Sequence, residues 1–348
     1  MARRKYHSSP EAAIYTDKCR QWNGKPYYSL DCFLRKQYGE KIYKVAIDGG
    51  MGCPNRDGTK GIGGCTFCSE GGSGEFAVPR SYAFTSVRSG SSQNTGEPLL
   101  SGIVTKQLNE GITRLKSSQK FCGRKYIAYF QAFSNTYAPI EYLRSLYLEA
   151  IAHPDTAVLS IATRPDCFSP EIYDLLSECQ QKKPVWIELG LQTMHDRTAK
   201  AFHRGYPLSC YENTVCELKK RGIPVITHVI LGLPGESKAD MLQTIQYLNH
   251  QRIDGIKLQL LHILKGTPLA RDLKNGLVKP LTKNEYVDIL LDCITHLSQD
   301  IVIHRLTGDG PKDLLLAPQW SLNKRELLNY IAHQMKIKHL YQGCHLVQ

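Results

Sequence analysis

The amino-acid sequence predicts an α/β fold: a whole or partial barrel of parallel strands joined by helical crossovers. Three observations predict it. From residue 125 to 305, short apolar runs of strand type alternate with helical stretches. Several of those helical stretches open on capping signals. A glycine-dense loop directly follows an earlier strand. Such alternation argues for parallel strands linked by right-handed crossovers. In barrels of this type, chemistry collects at the C-terminal ends of the strands. The 348 residues exceed one average domain, yet a strand–helix barrel often runs past roughly 200 residues as one unit. With 42% hydrophobic and 22% charged residues, the chain can bury a sizeable core, which excludes a disordered or collagen-like protein.

Residues 1–40 are a basic, aromatic extension, with Tyr27, Tyr28 and Phe33 among lysines and arginines. Tyr43–Ile47 reads as the first strand. Leu100, Ile103, Val104, Leu108, Ile112 and Leu115 then mark one face of a helix. Strands follow at Tyr126–Phe130, Ala157–Ala162, Val185–Leu191, Val225–Leu231, Ile256–Leu261 and Ile301–His304, each a short apolar run. Between them, Ser169-Pro170-Glu171 places a cap before a first-turn proline. Ser209 with Glu212 and Thr282 with Glu285 read as capping boxes, and Ser237 with Asp240 as a looser one. Gly222 closes a helix just before a strand. Six or so units predict a partial (β/α)6-type barrel over residues 41–305. Residues 306–348 form a C-terminal extension with Gly308-Asp309-Gly310-Pro311 and a helix near Lys324–Lys338. Gly71-Gly72-Ser73-Gly74 and Ser89–Gly96 read as loops, and there is no internal repeat.

No apolar run is long enough to span a membrane, and no apolar h-region follows the basic Met1–Lys5. The expectation is a soluble, cytoplasmic protein without a membrane partner. Lys and Arg number 44 against 32 Asp and Glu, a net +12, which favours a polyanionic partner, nucleic acid above all. Of twelve cysteines, most are scattered singly and read as small buried hydrophobes.

Three are not scattered. Cys53-x11-Cys65-x2-Cys68 lies after the first strand, among Gly49, Gly50, Gly52, Gly58, Gly61, Gly63 and Gly64. Glycines let backbone wrap closely around a bulky inorganic centre and donate N–H groups to it. Thiolates ligate zinc or iron–sulfur clusters. Three cysteines can hold three irons of a [4Fe–4S] cube and leave the fourth open. The alternative is a tetrahedral zinc completed by a distant fourth ligand.

Strand alternation adds polar residues to the barrel interior. In Trp186–Gln192 the even positions share one face, which leaves Glu188 and Gln192 in the lumen; Lys257 and Gln259 oppose Ile256, Leu258 and Leu260 in the same way. Polar groups inside a barrel need partners, or a ligand that provides them.

The cysteine loop, with Phe67 just before its last cysteine, resembles the cluster loop of radical S-adenosylmethionine (SAM) enzymes. The common spacing in that superfamily is Cys-x3-Cys-x2-Cys. The longer first gap, with Cys-Pro-Asn-Arg-Asp-Gly-Thr at 53–59, resembles the bacterial YhcC-like subfamily. Thr163-Arg164-Pro165-Asp166, Glu188-Leu189-Gly190-Leu191-Gln192, Arg204-Gly205-Tyr206 and His228 through Gly232-Leu233-Pro234-Gly235 resemble the radical SAM domain of the elongator catalytic subunit, a modifier of tRNA wobble uridine. The resemblance implies that Cys53, Cys65 and Cys68 hold a [4Fe–4S] cluster whose open iron binds SAM. One-electron reduction, from a donor such as flavodoxin or ferredoxin, would release a 5′-deoxyadenosyl radical that abstracts a substrate hydrogen. It further implies that Gln192 and His228 contact the SAM ribose and Arg204 its carboxylate. Gln131, Ser134 and Asn135 would stand near the methionyl amino group. Ala162 occupies a place where relatives often have an acidic ribose ligand, so Glu188 or Thr163 would compensate. Cys167, Lys257, Gln259 and His262 are candidate substrate contacts. The implied function is modification of tRNA, on a wobble-uridine side chain. Two alternatives stand beside it: a radical SAM enzyme for a small molecule such as a tetrapyrrole, and a zinc-stabilised RNA-binding protein. For tRNA, the N-terminal flank offers Arg3, Arg4, Lys5, Arg20, Lys25, Arg35 and Lys36 interleaved with aromatic rings able to stack on bases.

Overall fold

The computed structural model describes residues 10–72, 102–117 and 122–346. Seven parallel strands form one sheet in the order in which they occur in the chain. They are β1 (Tyr43–Ile47), β2 (Tyr126–Phe130), β3 (Thr156–Thr163), β4 (Val185–Gln192), β5 (Val225–Leu231), β6 (Gly255–Leu260) and, after a short β7 (Ile263–Leu264), β8 (Val302–Arg305). The sheet curls into a partial barrel with β1 and β8 at its two edges. Each expected strand is present within a residue or two. β7 pairs antiparallel with β9 (Leu315–Ala317) in a separate ribbon.

Two helices, α1 (Pro10–Gln21) and α2 (Leu30–Tyr38), precede the sheet. Crossover helices α3 (Ile103–Lys116), α4 (Ile140–Ala152), α5 (Pro170–Lys182), α6 (Asp196–Ala201), α7 (Leu208–Lys220), α8 (Lys238–His250), α9 (Pro268–Lys274) and α10 (Lys283–Thr295) follow, and α11 (Lys324–Ile337) closes the described chain. The helices bury their apolar faces against the outward side chains of the strands. On α3, Ile103, Val104, Leu108 and Ile112 are buried; they meet Val45 and Ile47 of β1 in the main core. Leu100 and the loop positions 73–74 and 89–96 lie outside the described residues.

The helix starts follow local chemistry. Ser169 caps α5, and Thr282 and Ser237 each sit in a reciprocated capping box, the second tighter than its sequence suggests. Ser209 does not cap. Helix α7 begins two residues earlier than that cap would place it, behind the extended Pro207. Its first N–H, on Leu208, donates to the Asp196 carboxylate at 3.1 Å, so a side chain from α6 replaces the local box. Gly222 ends α7 at φ 66°.

Helix α2 matters most for the site. Ser29 caps it, and the backbone of Ser29 bridges to Ile303 of β8. Its Leu34 packs with Ile127, Val158, Trp186 and Ile226, which start four neighbouring strands. Phe33 meets the Trp186 ring at 5.9 Å. The N-terminal end of the lumen is plugged. Access is left at the C-terminal ends of the strands and along the gap between β1 and β8.

Candidate active site

A cavity of about 280 Å³ opens at the C-terminal ends of the strands, and Cys53, Cys65 and Cys68 all line it. The eleven residues between the first two cysteines fold back on themselves, which explains the long gap. Asp57 pairs with Ile62 in a small turn, and Gly64 N–H donates to Asn55 O at 2.8 Å, bringing Cys65 back beside Cys53. Gly64 sits at φ 86°, and a Cβ there would meet Arg56 Nε at 2.9 Å, so glycine is required. Asn55 pins the loop from within, donating to His203 O at 2.6 Å and to Cys65 Sγ at 3.6 Å. Arg56 wraps beneath it, donating to the carbonyls of Cys68, Ser69 and Glu70. Thr66 N–H reaches Phe202 O at 3.1 Å, and Leu269 N–H reaches Thr66 O at 3.0 Å.

The thiols are tuned as ligands. A hydrogen bond from Cys65, helped by Arg56 and Arg164 against burial, lowers Cys68 to about 7. Sharing that hydrogen bond raises Cys65, with burial adding to the effect. Cys68 is therefore the thiolate of the pair near neutral pH, the form that ligates iron. Phe67, between them, packs its ring on Phe202 at 5.3 Å and lines the cavity.

Gln131, Ser134, Thr163, Glu188, Gln192, Arg204, His228, Lys257, Gln259 and His262 also line the cavity, as strand alternation and the resemblance predict. Three of them have work that limits their expected role. All four lone-pair positions of Glu188 are taken. Lys44 Nζ (2.6 Å) and Ser160 Oγ (2.9 Å) bond one oxygen; His228 Nε2 (2.8 Å) and Lys257 Nζ bond the other. Burial alone would raise its pKa, but Lys257, Lys44 and His228 hold it well below the usual carboxylate range. Glu188 is a buried hub and has no acceptor left for a ribose hydroxyl. Burial and Lys257 push His228 down to about 4; as a neutral ring donating Nε2–H to Glu188, it keeps Nδ1 as an acceptor. Arg204 is 1% exposed. It donates to Tyr206 O, Leu191 O, Thr193 O and the Asp196 carboxylate at 2.8–3.1 Å. One Nη2 hydrogen remains of its five donors.

Two other expected residues stand elsewhere. Asn135 does not line the cavity: fully buried, it donates to Phe130 O at 3.2 Å and Ala162 O at 2.8 Å and ties the ends of β2 and β3. Cys167 lies in a neighbouring cleft with Asp57, Thr136, Tyr137 and Phe168, where burial and Asp166 push its thiol far up. It stands outside the cavity that the three cluster cysteines line.

The structure adds residues that sequence reasoning did not single out. Arg164 grips Asp166 through two bonds of 2.9 Å and lies over Tyr206 at 5.0 Å, with Arg204 over the same ring at 4.7 Å. Tyr129 sits between Lys44 and Lys257, whose ammonium groups lie 4.7 and 4.5 Å from its ring. Tyr129 was readable as an inward position of β2, but not as the neighbour of two lysines. The N-terminal aromatics are a correction of another kind. Trp22 is buried, Phe33 packs on Trp186, and Lys36 lies over Tyr28 at 5.1 Å. These rings belong to the plugged end of the barrel, away from the mouth. Residues 3–6 lie outside the described residues.

Residues 50–248 match the radical SAM superfamily and residues 253–337 match the radical SAM C-terminal domain; the chain belongs to that superfamily. It is 40% identical to the protein YtqA of Bacillus subtilis over 92% of both chains, and 36% identical to the protein YhcC of Escherichia coli K12 over 84% of this chain and 86% of that one. A more distant relative is a tRNA-2-methylthio-N(6)-dimethylallyladenosine synthase of Alkaliphilus oremlandii, 29% identical over 40% of this chain and 30% of its own. The fold is similar to that of the archaeal Elp3 of Methanocaldococcus infernus, with a TM-score of 0.59 at 19% identity, over 69% of this chain and 60% of that one. Enzymes of this superfamily use a [4Fe–4S] cluster and SAM.

The residues present fit that pair. Three thiols, one already biased to thiolate, face one cavity beside Arg56 and Arg164, on a loop whose glycines leave room for a cube. Among the described residues, no three His, Cys, Asp or Glu side chains are arranged to hold a single metal ion. No described helix is long and apolar enough to cross a membrane.

Proposed function

We propose that this radical SAM enzyme modifies tRNA, acting on the side chain of a wobble uridine. Cluster and SAM, when bound, supply a carbon-centred radical able to take a hydrogen atom from an unactivated C–H bond. The chain's own residues do the rest. Cys53, Cys65 and Cys68 hold the cluster, and Arg56 and Arg164 offset the negative charge of its thiolates. Gln131, Ser134, Thr163 and Gln192 offer hydrogen bonds to SAM, with His228 Nδ1 as a ribose acceptor. Arg204 orients Tyr206 and the end of β4, and gives the ligand a single N–H. Phe67 and Phe202 keep water from the cysteine side of the cavity. The reaction needs an external one-electron donor, for which flavodoxin or ferredoxin is suited.

The observation that carries the choice of tRNA is the distant similarity to a tRNA-modifying synthase, itself named for an adenosine, together with the net charge of +12; the choice of uridine rests on the resemblance of residues 163–166, 188–192, 204–206 and 228–235 to the elongator catalytic subunit. Cavity size favours a small reacting group. At about 280 Å³, the space falls just below the roughly 300 Å³ at which ligand pockets begin, which disfavours a substrate as large as a tetrapyrrole. The test is the modified-nucleoside profile of tRNA from cells lacking the protein. An unchanged profile, with tRNA bound no better than a random duplex of equal length, moves a small-molecule substrate to first place.

A further inference from the structure

We propose that the floor of the lumen, where Lys44 and Lys257 share Glu188 and Arg305 stands beside Lys257, is a receptor for a carboxylate carried by the substrate. The proposal rests on the radical SAM reading and adds the chemistry of what is bound.

Charge is the starting point. The cavity is lined by the cations Arg56, Arg164, Arg204, Lys257 and Arg305 and, among the described residues, by one carboxylate, Glu188. The upper three are answered: Arg56 by backbone carbonyls under the cysteine loop, Arg164 by Asp166 and Arg204 by Asp196. The lower group is not. Glu188 faces two ammonium groups, those of Lys44 and Lys257. Arg305 reaches Asp309 at 3.7 Å, while the other oxygen of Asp309 is held by Lys324 at 2.5 Å. Lys257 has a side chain only 5% exposed and shares its one counter-ion, Glu188, with Lys44. The three cations of this group thus outnumber the carboxylates that reach them, and perturbed charged groups in a cleft are candidates for a functional site.

The groups facing Lys257 are Glu188, Lys44, the phenol of Tyr129 at 2.9 Å, His228 and Arg305, with His304 next to them. Burial and Lys44 hold His304 neutral, and burial holds His228 neutral, so neither relieves or answers the surplus. Burial drives Lys257 down to about 7 against the pull of Glu188, leaving it roughly half-protonated at neutral pH. An arriving anion would favour the protonated form. A second sign points to the same wall: His262 Nε2 is buried without a hydrogen-bond partner, and His262 lines this cavity.

Donor geometry selects the anion. The planar fork of Arg305 beside the point charge of Lys257 matches the two oxygens of a terminal planar acid. The acid can be free or can be a substituent of a nucleoside in RNA; the receptor chemistry is the same.

The test uses cluster-loaded protein with SAM and no reductant. Glutarate is titrated calorimetrically at pH 7 in two buffers of different ionisation enthalpy. Saturable binding with uptake of roughly half a proton is expected, and glutaramide, its uncharged analogue, should not bind. Lys257→Met and Arg305→Gln should each weaken glutarate at least tenfold, with circular dichroism and cluster absorbance confirming folded protein; the more exposed Arg305 carries the test if the lysine variant does not fold. Equal binding by both variants, binding of glutaramide, or tighter binding of inorganic phosphate overturns the proposal. Total tRNA and a small-molecule filtrate of cells then compete for the glutarate site. Competition by tRNA assigns the acid to RNA, competition by the filtrate to a free metabolite, and competition by neither overturns the proposal. Failure of the reduced protein to cleave SAM counts against the radical reading instead, and leaves the anion titration interpretable.

Discussion

Replacing Glu188 by Gln keeps the shape of the hub and removes its charge. Lys257 and Lys44 then lose their shared counter-ion, and one face of the new amide presents N–H donors to groups that are themselves donors. Breaking a buried ion pair from one side costs about 3–5 kcal/mol. The low end applies here. Lys44 is 21% exposed and can turn to water, and Lys257, already near 7, can shed its proton. Unfolding entropy of roughly 2.1 cal/mol/K per residue, over a chain of this length, turns ~3 kcal/mol into a melting-temperature loss of about 4 °C. The pH dependence follows from linkage. The unfolded chain holds the lysine proton up to the ordinary value of 10.5, the folded chain only to about 7; stability from this group therefore rises with pH across that window. Without Glu188 the folded value falls further, which penalises the variant most where wild-type Lys257 is still charged. Scanning fluorimetry should show a larger deficit at pH 6 than at pH 9. A variant melting within 1 °C of wild type on the scale of that ~4 °C estimate, or a deficit that grows with pH, refutes the reasoning.

Alanine at Cys53, Cys65 or Cys68 should abolish the brown colour and drop bound iron from about four per chain, measured after anaerobic reconstitution. Arg204→Ala should destabilise by roughly 3 kcal/mol, because it strands the carbonyls of Leu191, Thr193 and Tyr206; the melting temperature should fall before any specific effect on SAM is seen, and Arg204→Lys should not restore it. Gln192 holds φ 65° at the end of β4, a conformation costing roughly 1–2 kcal/mol for a residue with a Cβ. Gln192→Gly should therefore weaken SAM in equilibrium binding while leaving the melting temperature unchanged or higher, whereas Gln192→Ala should weaken SAM without that gain.

Period and spacing carried much of this site in the sequence. A two-residue repeat in β4 is enough to place Glu188 and Gln192 in the lumen, because a strand has only two faces. Three cysteines in a glycine-rich loop after β1 announce their own chemistry. What sequence does not carry is who else reaches the same atom. The donors of Arg204 are used by carbonyls up to 13 residues away, and the oxygens of Glu188 by groups from four other strands, β1, β3, β5 and β6. Nor does composition say at which end of a barrel a basic flank sits. Arg35 and Lys36 ride on the helix that plugs the floor, so their charge cannot guide a base into the mouth.

The bonds that shape the cysteine loop run through Asn55, Arg56, Thr66 and Phe202. They tie the loop to the turn after α6, through Phe202 O and His203 O, and to the start of α9, through Leu269 N–H. The three thiols are thus aligned by the barrel's own connections, and any shift of those two helices is also a shift of the cluster's ligands.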